Sequence, residues 1–195
     1  MVETYALPYS EKVMEIHRMQ LGEAVEQLRF CKSWLLNGCT RKRLKVVKTD
    51  SLPSRFNASR RGIDIDSIMC AICDNEAETS SHLFFSCRMV RQIVRMITRW
   101  WDVPYVEVDS YEGWTTWLVN LRLSSKHKHM LEGVFYVTWW HLWSFHNKLI
   151  FESKSPSQAL FFDDVVSMSF YWCRNRCKAS FSWNDWLKNT HLVSL

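Results

Sequence analysis

A chain of 195 residues with 47% hydrophobic side chains can bury a core, which excludes a wholly disordered tail. Its formal net charge of +5 sits in the first half, so a polyanionic partner is allowed but not demanded. Five Gly and four Pro are too few for a turn-rich β architecture and predict a mainly α protein.

The longest uncharged apolar run, Gly133 to Phe145, falls short of the ~20 residues that span a bilayer, so no membrane segment is expected. Met1–Ser10 lacks the basic start and apolar centre of a secretory leader. With seven Cys, an odd number, the expectation is a reducing compartment, nucleus or cytoplasm, where thiols stay free for metal.

In chain order, Ser10 can cap a helix running to about Asn37, with Gly38 as its stop. Met14, Leu21, Leu28 and Leu35 recur every seven residues on it. Arg18, Gly22 and Lys32 at the complementary positions weaken a coiled coil, and the stripe is read as packing on its own chain. Arg41-Lys42-Arg43-Leu44-Lys45 and Lys48 then form a basic linker, read as solvated, with an import patch or phosphate contact as the alternative. Pro53, Pro104 and Pro156 mark the edges of the units that follow. The organisation predicted is an N-terminal helix and linker over 1–49, a metal-binding unit over 50–101 and a helical region over 102–195.

The metal unit rests on Cys70, Cys73, His82 and Cys87, spaced C-x2-C-x8-H-x4-C. Thiolate sulfur and imidazole nitrogen are the ligands of structural zinc, and a leading Cys-x2-Cys pair is the usual knuckle. Four protein ligands leave no position for a reactive water, so one zinc is expected to fold the chain and not to perform chemistry. Thr79 or Ser80 is a natural cap for a helix with His82 in its first turn and Cys87 near its end. A second helical run places Val90, Ile93, Val94, Ile97 and Trp101 on one face and Arg88, Arg91, Arg95 and Arg99 on another. All basic residues from 51 to 101 are Arg, whose planar fork suits phosphate. That face is the leading nucleic-acid candidate; the alternative is a solvated face that keeps an amphipathic helix soluble.

Beyond Pro104, helices are predicted from Ser110 to about Leu123, from Ser125 to about Phe151, and from Pro156 in a first turn to about Ala179. Ser182 can cap a last turn with Trp183, Trp186 and Leu187. Ten of the eleven Trp lie from Trp100 onward and are expected to fill helix–helix interfaces. The fold expected is a small CCHC zinc-binding unit followed by a helical, Trp-rich C-terminal bundle.

Other chemistry finds little support. Cys173 and Cys177 share a helix face with no further ligand nearby, and read as free thiols. His127 and His129 point to different sides of a helix and read as solvated. Phe161-Phe162-Asp163-Asp164 matches the aromatic-x-Asp-Asp signature of nucleotidyl transfer, but it follows a helix start where that chemistry wants a β-hairpin and a third acid.

Residues from about 50 to 101 resemble the zinc-binding domain that follows the polymerase in plant non-LTR (LINE-type) reverse transcriptases. The resemblance is carried by Leu52-Pro53-Ser54-Arg55, Asn57, Arg60-Arg61-Gly62-Ile63, Cys70, Cys73, Glu78-Thr79, His82-Leu83-Phe84 and Cys87. Trp140, Trp143, Asn147, Ile150 and Phe151 look like the W-x-x-W-x-x-R-N-x-x-I-F element that follows it, with His146 where Arg is usual. Residues 43–48 lack the family's aromatic-rich helix, and the N-terminal helix has no counterpart. The resemblance implies the tail of an RNA-directed DNA polymerase whose polymerase and endonuclease domains are absent, hence a chain that does not polymerise.

The function expected is a non-catalytic, zinc-stabilised module that binds RNA or DNA through Arg55, Arg60, Arg61, Arg88, Arg91, Arg95 and Arg99, beside a parent polymerase domain as a further partner. No small-molecule substrate is expected. The alternatives are a structural or protein-interaction module docking through its Trp-rich helices, a degenerate remnant, and an active nucleotidyltransferase.

Overall fold

A computed structural model describes residues 52–152, 156–176 and 181–188. The expected helix over 10–37, the basic linker at 41–48 and Cys177 lie outside these residues. The described part is mainly helical, as expected. Among the described residues, the sheet-like pairing is a single antiparallel bridge between Met69 and Ala77.

Helix α1 (Arg55–Arg60) starts after Pro53, where the Ser54 hydroxyl accepts from the Asn57 N–H. Asn57 is buried and donates its side-chain amide to the Leu52 carbonyl, tying the entering chain to the helix. Gly62, at φ 77°, reverses the chain behind it in a backbone region that suits glycine. The bridged loop of residues 69–77 follows, then a helical stretch from Ser80 that widens into a π turn at His82–Ser86.

Helix α2 (Arg88–Trp100) is strongly amphipathic, burying Val90, Ile93 and Ile97. It stops at Trp100, and Asp102, with a φ of 47°, turns the chain away. Helix α3 (Tyr111–Asn120) is capped by Ser110, which accepts from the Gly113 N–H. It ends before the expected Leu123, because the chain is extended already at Leu121.

Helix α4 (Ser125–Phe151) has the predicted limits, and at 27 residues it is about 40 Å long. From Gly133 to Trp139 it is buried without interruption, so every side of it faces protein there, the mark of a central helix. Helix α5 (Phe161–Arg176) packs along it. The crossing is close at Gly133, where an added Cβ would lie 2.0 Å from Trp172 Cζ3.

Helix α5 departs from expectation at its start. Pro156 is not in its first turn; the chain makes a separate turn over 158–160 and the helix begins at Phe161. Asp163 and Asp164 therefore stand exposed in the first helical turn, where acids suit the helix dipole. Helix α6 (Trp183–Lys188) is capped as predicted by Ser182, which accepts from the Asp185 N–H while Asp185 accepts from the Ser182 N–H.

One core runs from Leu52 to Trp186 and crosses residue 101 without a break. At one end Trp100, Trp101 and Trp186 meet edge to face, with centroids 5.0–6.0 Å apart, and the Trp100 indole N–H donates to the Trp186 carbonyl. At the other, Trp139 of α4 meets Trp114 of α3 at 4.8 Å and Phe85 of the π turn at 5.6 Å. Most of the described tryptophans fill helix interfaces, as their number and position predict, while Trp183 is exposed.

Candidate metal centre

The loop that holds Cys70 and Cys73 is closed by backbone bonds. Cys70 N–H donates to the Glu76 carbonyl, Asp74 N–H to the Cys70 carbonyl, and Glu78 N–H to the Ile68 carbonyl. Asp74, at φ 51°, takes the left-handed conformation that lets the chain turn back. The amides of Ile72 and Cys73 point at the Cys70 sulfur, which favours a thiolate there.

His82 and Cys87 come from the helical stretch that Thr79 caps, its hydroxyl accepting from the His82 N–H at 3.0 Å. In an ordinary α-helix, residues five apart stand about 140° apart around the axis. Here Cys87 N–H donates to the His82 carbonyl at 2.8 Å, the i to i+5 bond of a π turn. The wider turn brings both ligands to one side, a departure from the regular helix that the sequence predicts.

The four donor atoms lie within 4.8 Å of one another. Cys70, Cys87 and His82 are buried and Cys73 is half-buried. His82 Nε2 faces Cys73 Sγ at 3.2 Å, while its Nδ1 lies 3.0 Å from Glu76 and 3.2 Å from the Ser86 hydroxyl. A carboxylate on Nδ1 fixes the ring and leaves Nε2 for a metal. Spacing does not single out Glu76 or Ser86, because an exposed acid and a serine near a histidine are common.

Crowding sets the protonation of the group. The Cys70 thiol, donating to Cys87 and buried, is pushed up to about 12, while the same bond holds Cys87 below its ordinary value. His82 is raised to about 9, chiefly by its contact with Cys70. A divalent cation replaces these mutually restraining protons, so the donor set fits zinc.

Behind the ligands lies Glu78, fully buried. One of its oxygens accepts from the Arg55 N–H at 2.9 Å and the other from the Ala71 N–H, inside the Cys70–Cys73 turn, at 3.2 Å. His146 of α4 brings Nε2 to 2.9 Å from the same carboxylate, at ion-pair distance though off the line of a good hydrogen bond. Burial opposes ionisation of Glu78, but His146 and the two amides outweigh it and lower its pKa.

The arginines divide by environment. Arg55 is half-buried and donates to the Met69 carbonyl, a bond that braces the loop. Arg60 lies over the Phe56 ring, and Arg61 is exposed. On α2, Arg88, Arg95 and Arg99 are exposed and Arg91 is half-buried. Arg91 and Arg95 approach Glu107 at 3.9 and 3.3 Å, and Arg95 also lies over Tyr105. A trench of about 540 Å³ beside the metal ligands is lined by Asn75, Glu76, Arg88, Arg91, Gln92 and Arg95.

A family model described as zinc-binding in reverse transcriptase matches residues 26–93. The match contains all four metal ligands and ends within α2. The chain is similar to that family over this span, and the cluster forms one zinc site. No curated protein matches the chain, and no solved structure matches it. Among the described residues, no helix is long and apolar enough to cross a membrane.

Proposed function

We propose that the chain is a zinc-stabilised, non-catalytic module that binds a nucleic-acid strand in association with a reverse transcriptase of the non-LTR (LINE) type. The observation that carries this reading is the arginine-lined trench on α2, beside the zinc ligands. Helix α2 sets the spacing of the arginines, and the zinc ligand Cys87 just before it ties them to the metal loop. Glu107 is a weak competitor for Arg91 and Arg95, because exposed ion pairs are worth little and a phosphate offers stronger contacts.

The test is fluorescence anisotropy with labelled single-stranded RNA and DNA over a salt series. Four phosphate contacts by Arg88, Arg91, Arg95 and Arg99 give a log–log slope of about −3, and Arg88→Ala reduces its magnitude by about 1. No binding at low salt would sink the reading. For the docking alternative, among the described residues Trp183 is exposed, Trp100, Trp117 and Trp140 are half-buried, and the other tryptophans are buried. Asp163 and Asp164, exposed at a helix start, lack the setting of a polymerase site.

A further inference from the structure

Helix α4 carries no zinc ligand and follows the last of them by two helices, yet its His146 reaches the back of the metal loop. His146 is 2% exposed and stacks on Trp143 with ring centroids 5.1 Å apart. Its Nε2 faces Glu78, and its Nδ1 lies 3.3 Å from the Asn147 side-chain oxygen. Glu78 in turn holds the Ala71 amide within the Cys70–Cys73 turn and the Arg55 amide at the start of α1.

We propose that His146 is a positioning residue for the zinc site, acting through Glu78, so that docking of α4 and zinc affinity are coupled. A buried carboxylate deprived of its partner is costly. Without His146, Glu78 keeps its two amide donors but loses its side-chain partner on the oxygen that faces Ala71, and its grip on the Ala71 amide weakens. The turn that presents Cys70 and Cys73 then loosens. By reciprocity, zinc that orders this turn strengthens the seat of α4. The inference rests on the zinc site alone and is independent of nucleic-acid binding.

The test is zinc competition against a chromophoric chelator. His146→Gln is expected to weaken zinc binding about tenfold, the low end for residues that orient metal ligands from behind. Val165→Ala, which removes buried methyl groups from α5, a helix without zinc ligands, is the control and should leave zinc affinity unchanged. Equal affinity in His146→Gln and the unaltered chain, or an equal loss in Val165→Ala, overturns the proposal. Hydrogen exchange on the unaltered chain is the second measurement. Zinc removal should lower protection around residues 143–150 while sparing 130–138. Unchanged protection at 143–150, or equal loss along all of α4, overturns it as well.

Discussion

At the scale of single residues, the zinc site binds metal by exchanging protons. Cys70, at about 12, and His82, at about 9, both hold protons at pH 7 and must lose them to solvent for the metal to bind. Zinc affinity is therefore expected to rise with pH between 6 and 8, by about tenfold per unit for each of these protons. Chelator competition across that range checks it, and a flat profile would contradict it. The four ligands are legible from spacing alone, because zinc demands particular atoms at short reach. The roles of Glu76 and His146 are not, since they depend on a fold that brings separate positions together.

At the scale of elements, the amphipathic pattern of α2 and the limits of α4 can be read directly, because burial follows helical period. The later start of α5 has a local cause: Pro156 suits a first turn, but the chain spends 158–160 in a separate turn. The close crossing of α4 and α5 leaves no mark in sequence except a glycine inside a helix. Gly133→Ala would drive a methyl group into Trp172 and cost about 1–3 kcal/mol, offset in part by alanine's better helix propensity. Thermal denaturation of the zinc-loaded variant measures the net loss, and an unchanged Tm would show that Trp172 moves aside freely.

At the scale of the whole molecule, the zinc unit and the helical region share one core, sealed by aromatic contacts between α2 and α6. The richness in Trp announces such packing, but not which helices meet. Trp186 is fully buried, stacks on Phe181 and donates its indole N–H to the Val166 carbonyl. Trp186→Ala should cost about 3–5 kcal/mol and release α6, seen as a large fall in Tm with zinc still bound. Loss of zinc at the same temperature as loss of α6 would show instead that the two ends melt as one.

The π turn has a consequence for how this site tolerates change. The spacing from His82 to Cys87 works only because one i to i+5 bond absorbs the extra residue. Between these two ligands the protein is thus sensitive to length more than to composition. Inserting one alanine after Ser86 leaves all four ligands in the chain, yet sets the histidine and the last cysteine six positions apart, about 120° around a regular helix, and turns that cysteine out of the cluster. Such an insertion should abolish zinc binding where Ser86→Ala only weakens it. The metal reads the count of residues before it reads their kind.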